Sequence, residues 1–263
     1  MWHTEFFSGL DWGQDRMLYK DRVFRLQHHV NDKWELGSDC FMFYKTRALV
    51  DQYEKYFSGT PGFKVENLFE LGIWDGGSAA FWFELFEPCK HVGVDVQDKT
   101  DSPYFVKYVE DRNIRDRLKI YWNTDQTDRN RLLDICRREF NEPLDCVIDD
   151  ASHLYGHTKE SFETLFPLLR PGGIYIIEDW AWAHWKSHHD INHPFSREIP
   201  LTRLIVELAE AVGTDSGIIS NLSVHQGFTV VERAPGGNIA PGEFHLDDFI
   251  ARMPEFEAQA AAS

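Results

Sequence analysis

Several residue patterns that would place this chain in a familiar class are missing from its sequence. No two of its 4 cysteines form a C-x-x-C pair, which argues against a disulfide framework or a cysteine-bound zinc site and favours reduced thiols. No apolar run reaches the roughly 18 residues that a transmembrane helix needs. The first residues also lack the basic and apolar regions of a signal peptide. These absences predict a cytoplasmic protein without a membrane span.

Basic residues are also few in this sequence. Lys and Arg number 27 against 43 Asp and Glu, which gives a formal net charge of -16 with His neutral. Such a surface repels the phosphates of nucleic acids and of anionic membranes, so neither is an expected partner. A length of 263 residues with 43% hydrophobic content suits one α/β domain with additional segments.

Residues 65–235 alternate between strand-like and helix-like stretches. Runs such as CVI and IYII are apolar on both faces, which predicts buried strands, and the helical periodicity between such runs predicts βαβ units. The expected α/β fold is a Rossmann-like, seven-stranded, mostly parallel sheet with helices on both faces. We expect an N-terminal helical and aromatic segment at 1–60 that acts as a lid or in oligomerisation. The main domain is expected at 61–235 and a C-terminal tail at 236–263.

The first strand of the main domain runs into the sequence ELGIWDGGSAAFW. Gly72, Gly76 and Gly77 allow a tight turn and the close approach of a ligand to a helix N-terminus. Their spacing is neither the G-x-G-x-x-G of dinucleotide-binding proteins nor a P-loop. Asp95, at the end of the second strand, is placed to bind ribose hydroxyls. The glycine spacing and the acidic Glu70 argue against an NAD-dependent dehydrogenase.

Acidic residues follow the fourth and fifth strands, in the sequences VIDDASH and IYIIEDW. Because sequential parallel strands end at the same edge of a sheet, Asp150, Glu178 and Asp179 are expected to lie close together. Three such carboxylates repel one another unless a cation compensates them, and oxygen ligands favour Mg²⁺, with Mn²⁺ or Ca²⁺ as alternatives. His153 follows Asp150 closely, and imidazole suits a general base near neutral pH. Roles as caps or solvated loop residues remain open for all of these side chains.

These patterns together resemble the class I S-adenosylmethionine (SAM)-dependent methyltransferases. The narrower resemblance is to the metal-dependent sugar O-methyltransferases of macrolide biosynthesis and to the cephalosporin hydroxylase-like proteins. It lies within residues 65–180, in the stretches ELGIWDGGS, GVDVQDKTD, VIDDASH and LLRPGGIYIIEDW. The resemblance implies SAM bound by Glu70, Gly72, Gly76, Ser78, Asp95, Asp125 and Asp149, Mg²⁺ bound by Asp150, Glu178 and Asp179, and catalysis by His153 and Asp150.

The resemblance also implies a function in antibiotic biosynthesis: methylation of a sugar hydroxyl on a natural product or a nucleotide sugar, by a homo-oligomer. Two alternatives remain open. One is methylation of a catechol-like phenol, whose vicinal hydroxyls would bind the same ion, and the other is a non-catalytic SAM-fold partner of an oxidase. The Trp- and His-rich residues 181–198 are expected to form either an acceptor-binding lid or an aromatic core under a long loop. Asp149 is open to a structural role as a cap.

Overall fold

The computed structural model describes residues 7–26, 40–60, 62–214, 217–237 and 239–252, in which eleven strands and six α-helices lie. The strands are β1 Leu10–Trp12, β2 Arg16–Tyr19, β3 Arg22–Leu26, β4 Phe41–Phe43, β5 Asn67–Leu71, β6 Lys90–Val94, β7 Leu118–Tyr121, β8 Leu144–Asp149, β9 Leu169–Glu178, β10 Ile219–Val224 and β11 Phe228–Arg233. The helices are α1 Arg47–Ser58, α2 Gly77–Phe86, α3 Pro103–Asp111, α4 Arg129–Glu139, α5 Tyr155–Leu165 and α6 Thr202–Gly213. None of the helices in these ranges has both the length and the apolar character needed to cross a bilayer.

The predicted seven-stranded sheet is confirmed, with the strand order β10-β11-β9-β8-β5-β6-β7. Neighbours are parallel except at β11, which runs antiparallel to β9 and β10. Alternate residues of β8 pack on opposite faces: Cys146 and Ile148 join one buried cluster, whereas Val147 joins the other. Both faces of the central strands are therefore covered, which explains why these strands are apolar throughout.

The N-terminal segment contains a second sheet, with four strands in the order β1-β2-β3-β4. Its last two strands pair in parallel. Phe24 packs against Phe41 and Phe43, and both Phe24 and Phe43 contact Phe81 of α2, so this sheet packs on the main domain. Helix α1 agrees with the helical pattern of its sequence. The strands differ from the expected helical segment, because pieces of three to five residues are too short to show a clear periodicity.

The described part of the C-terminal tail packs on α5. Phe244 and Leu246 are buried, and the Leu246 amide donates a hydrogen bond to Oε1 of Glu163 at 2.9 Å. Residues 253–263 lie outside the described ranges. The boundary expected at residue 236 stays a prediction.

Candidate functional site

A cavity of about 840 Å³ lies at the C-terminal ends of the parallel strands. Three parts of the chain line it: residues 42–52 of the N-terminal segment, the loops that follow β5 to β9, and the loop between β10 and β11. Eight of the predicted site residues are on its wall: Gly72, Ser78, Asp95, Asp125, Asp150, His153, Glu178 and Asp179. The other three, Glu70, Gly76 and Asp149, are not among the lining residues.

The glycine loop after β5 is shaped by close backbone contacts. Gly72 has φ +79°, and a Cβ atom there would lie 2.2 Å from the carbonyl oxygen of Asp150. Only glycine therefore lets the loops after β5 and β8 approach each other. Gly76 caps the N-terminus of α2 with φ +84°. Ser78, in the first turn of α2, lines the cavity, so the loop brings the N-terminus of this helix to the cavity wall. A helix N-terminus favours negatively charged ligand groups.

Asp95 supports the glycine loop from the end of β6. Its Oδ2 accepts hydrogen bonds from the amides of Ile73 and Trp74 at 3.1 and 2.8 Å, and its Oδ1 accepts one from the Gln97 amide at 2.9 Å. The carboxylate is almost buried but still lines the cavity. Asp95 therefore fixes the loop and presents a carboxylate to the same space.

Asp125 lines the cavity after β7. Its Oδ1 accepts hydrogen bonds from the amide and the hydroxyl of Thr127, both at 2.8 Å. The bond from the Thr127 amide lowers the pKa of Asp125, with a further contribution from the hydroxyl. The side chain therefore presents a negative charge beside Gln126, which also lines the cavity.

Glu70 and Asp149 lie within the protein, behind the cavity wall. Glu70 is fully buried and pairs with Nε2 of His91 at 3.1 Å. Asp149 accepts hydrogen bonds through Oδ2 from Ser161 at 2.6 Å and from Tyr175 at 2.8 Å. Burial raises the pKa of Asp149, although these hydroxyl donors oppose the rise. Neither acid is among the cavity-lining residues, whereas Oε1 of Glu70 is buried without a hydrogen-bond partner among the described residues. Cofactor binding by Glu70 and Asp149 stays a prediction.

The register of β8 and β9 brings the next acids together. Asp149 pairs with Ile177, so Asp150 and Glu178 are the residues that follow on adjacent parallel strands. Lys45, from the segment between β4 and α1, lies between them. Its Nζ is 2.8 Å from Oδ2 of Asp150 and 2.7 and 2.8 Å from the two carboxylate oxygens of Glu178.

This arrangement is deeply buried on the side of Glu178. The exposed fractions of the Lys45 and Glu178 side chains are 3% and 1%. The Tyr53 hydroxyl donates a further hydrogen bond to Oε1 of Glu178 at 2.7 Å. Burial and the charge of Asp150 raise the pKa of Glu178 to about 8, although Lys45 acts in the opposite direction. Asp150, Glu178 and the neighbouring Asp179 are three carboxylates beside one ammonium group, which favours a further cation.

A divalent cation fits the opposite side of the cluster. Asp150, His153 and Asp179 each offer one ligand atom, and these atoms lie within 4.8 Å of one another. The carboxylates of Asp150 and Asp179 suit Mg²⁺ or Mn²⁺, and the imidazole of His153 lies beside them. His153 and Asp179 hold their side chains there with positive φ angles of 57° and 52°, a backbone conformation that is common at functional sites.

The Trp- and His-rich residues 181–198 after β9, here called the aromatic loop, contact the backbone of His153. The indole of Trp182 donates a hydrogen bond to the His153 carbonyl at 2.9 Å, while its ring packs against Phe195. Trp185 lines the cavity. The loop therefore contains a small aromatic cluster and contributes Trp185 to the cavity wall, and its role in acceptor binding stays a prediction.

Lys45 and Tyr53 are the functional residues that the sequence analysis missed. Both lie in a segment whose sequence resembles no motif, and both reach Glu178 across more than a hundred residues of chain. The one available signal was indirect: three clustered carboxylates require positive charge, and a lysine is one source of it. Nothing in the pattern around Lys45 identifies it as that source.

Residues 69–180 match the family model described as "Methyltransferase domain". Among curated relatives, mycinamicin VI 2''-O-methyltransferase of Micromonospora griseorubida is 35% identical over 144 residues, which cover 51% of this chain and 32% of the relative. Demethylmacrocin O-methyltransferase of Streptomyces fradiae is 30% identical over 167 residues, which cover 61% of this chain and 38% of the relative. The matched region thus spans about a third of the length of these relatives.

Solved structures show the same similarity. The MycE methyltransferase from the mycinamycin pathway, in complex with Mg, S-adenosylhomocysteine (SAH) and mycinamycin VI, is 28% identical with a TM-score of 0.55. The match covers 76% of this chain and 53% of that one. A putative caffeoyl-CoA O-methyltransferase from Staphylococcus aureus is 13% identical with a TM-score of 0.51, over 73% of this chain and 86% of that one, and shows the shared fold alone.

Proposed function

Because residues 69–180 of this chain are a methyltransferase domain, we propose that the protein transfers the methyl group of SAM to a hydroxyl group of a glycosylated small molecule, with Mg²⁺ bound. One observation carries this proposal. A single cavity joins the glycine loop and Asp95 to His153 and the acids after β8 and β9. A methyl donor at one end of it and an acceptor at the other would share one enclosed space.

The donor half of the cavity suits SAM. The loop that contains Gly72 leads to the N-terminus of α2, which favours the carboxylate of the methionine part. Asp95 is the candidate for the ribose hydroxyls and Asp125 for the adenine side, since both line the cavity on the next two strands. Glu70 and Asp149 would act behind them by holding the strands in register.

The acceptor half suits removal of a proton from a hydroxyl group. The acceptor oxygen attacks the methyl carbon, the bond from carbon to sulfur breaks, and its electron pair stays on sulfur, which gives SAH and a methyl ether. His153 would take the hydroxyl proton as the general base. A divalent cation, when bound by Asp150 and Asp179 with Glu178 beside them, would lower the pKa of that hydroxyl.

The names of the curated relatives support a sugar acceptor. A further relative, 30% identical over 166 residues, is named 8-demethyl-8-alpha-L-rhamnosyl tetracenomycin-C 2'-O-methyltransferase of Streptomyces olivaceus, and its name includes a rhamnosyl group. We extend that class of acceptor to this chain, with a nucleotide sugar as a possible precursor form. A homo-oligomer and a cytoplasmic location stay predictions.

The first test is calorimetric titration of the purified protein with SAH, once with Mg²⁺ and once with EDTA. Methyl transfer from labelled SAM is then measured on a panel of glycosylated polyketides, nucleotide sugars and catechols. We expect SAH to bind in both conditions, and EDTA to stop the transfer to a glycosylated acceptor.

Each other outcome contradicts a specific part of the proposal. Absence of SAH binding in both conditions would overturn the methyltransferase function. Transfer only to catechols would replace the sugar by a phenol as the acceptor. Transfer that continues in EDTA would remove the metal from the reaction, and SAH binding without transfer to any acceptor would favour a non-catalytic partner protein.

A further inference from the structure

Lys45 occupies a place in the carboxylate cluster where a bound cation would otherwise be expected. Its ammonium group contacts three carboxylate oxygens, one from Asp150 and two from Glu178, at 2.7 to 2.8 Å. The side chain is 3% exposed, and it reaches this position from outside the region that matches the methyltransferase family. An ammonium held so closely offsets carboxylate charge just as a metal ion would.

The contacts divide the cluster into two sides. On the buried side, both carboxylate oxygens of Glu178 accept hydrogen bonds from the ammonium group of Lys45, and Oε1 also accepts one from the Tyr53 hydroxyl. On the cavity side, Oδ1 of Asp150 lies 3.9 Å from Nε2 of His153. Asp150 is the residue that both sides share, because its Oδ2 accepts from the ammonium.

We propose that Lys45 is a built-in cation that withholds Glu178 from a divalent ion, competes for Asp150 and thereby sets a low affinity for the metal. The proposal deepens the proposed function and rests on it for the presence of a metal. Two physical effects act together. The fixed positive charge repels a second cation a few ångströms away, and it occupies oxygen atoms that would otherwise be ligands. A metal would bind mainly through Asp150 and Asp179, and the acceptor would complete its coordination.

The test is a calorimetric titration with Mn²⁺ of the metal-free full chain, in the presence and absence of SAH. Lys45→Met and Lys45→Gln remove the charge, and we expect each to bind Mn²⁺ at least about tenfold more tightly than the wild type. Lys45→Arg keeps the charge and should stay within about threefold of the wild-type affinity. Tyr53→Phe is the matched control, since it removes a neutral donor to the same carboxylate, and it should also stay within about threefold.

Loss of the buried ammonium leaves Glu178 without its partner, so the charge-removing variants are expected to be less stable. Thermal unfolding at increasing Mn²⁺ concentrations therefore tests the proposal in variants of reduced stability. The melting temperature of Lys45→Met should rise more with Mn²⁺ than that of the wild type, because the ion replaces the missing charge. Equal Mn²⁺-dependent shifts in the melting temperatures of Lys45→Met and the wild type would overturn the proposal. Mn²⁺ affinities that are unchanged or weaker in both charge-removing variants would overturn it as well. SAH binding distinguishes the two proposals: a wild-type chain that does not bind SAH refutes the methyltransferase function, whatever the Mn²⁺ affinities are.

Discussion

His153 has a backbone conformation that most side chains avoid. Its φ of 57° lies in the left-handed region, and the indole of Trp182 holds its carbonyl at 2.9 Å. The side chain lines the cavity, and its Nε2 lies 3.9 Å from Oδ1 of Asp150. The strain costs about 1 kcal/mol or more, and the surrounding structure must stabilise it.

We expect His153→Asn to reduce methyl transfer by about 10²- to 10⁴-fold, because it removes the proposed general base and leaves the left-handed backbone tolerable. The measurement is a single-turnover rate with the best acceptor of the panel, together with SAH affinity by calorimetry, which should not change. His184→Asn is the control: His184 is in the aromatic loop, bonds Thr202 and does not line the cavity. A rate near that of the wild type in His153→Asn would show that another group takes the proton.

At the scale of single residues, the sequence located the acids at the strand ends, but it did not show which of them face the cavity. Asp95, Asp150, Glu178 and Asp179 were located because residues at strand ends meet at one edge of a parallel sheet. Glu70 and Asp149 look the same in a one-dimensional pattern but are buried behind that edge. Which of two successive acids faces the cavity depends on strand register and twist, and these are set by long-range pairing.

At the scale of elements, the contact between α2 and β4 positions the N-terminal wall of the cavity. Gly77, the first residue of α2, lies so close to β4 that a Cβ atom would be 1.8 Å from the carbonyl oxygen of Met42. That oxygen belongs to the backbone and cannot rotate away. The close approach places the chain that follows Met42, including Lys45, over the ends of β8 and β9.

We expect Gly77→Ala to lower the free energy of unfolding by about 1–3 kcal/mol, because the added methyl group must separate α2 from β4. Gly156→Ala is the matched control: Gly156 lies in α5, and a Cβ atom there would meet no atom within 4 Å. That substitution should be neutral or stabilise the protein by up to about 1 kcal/mol. Denaturant unfolding of the two variants measures both effects, and equal stabilities would show that β4 moves without cost.

Helices and strands could be predicted from the sequence where apolar residues recur at helical spacing or form a continuous run. The helical pattern at 129–140 and the apolar runs of β5, β8 and β9 follow from local sequence. The short strands β1 to β4 could not be predicted in this way, because three to five residues hold too few alternations and their pairing is decided by contacts with α2.

At the scale of the whole molecule, the cavity belongs to no single part of the chain. The region that matches the methyltransferase family supplies the glycine loop, Asp95 and the acids after β8, whereas residues 42–52 and Trp185 lie outside that match. The matched region therefore supplies the glycine loop together with His153 and the acids, and the segments that the family model does not cover supply the remaining wall.

We expect Trp185→Ala to raise the KM for the acceptor about tenfold while SAH affinity stays the same, since the indole lines the cavity and we place it at the proposed acceptor end. Ile191→Ala is the matched control, because Ile191 lies in the same loop, is 73% exposed and does not line the cavity. Steady-state kinetics with the best acceptor separates KM from kcat. Equal changes in SAH affinity and acceptor KM would place Trp185 at the donor instead.

The contact of Lys45 with two acids of the region that matches the methyltransferase family has a consequence for how such a chain diversifies. An acceptor-binding segment that is exchanged by recombination normally carries only its own contacts to the substrate. Here the exchange would also replace the residue at position 45, and with it the charge beside Asp150 and Glu178. If Lys45 sets the metal affinity as proposed, a hybrid with a new N-terminal segment would also have a new metal affinity.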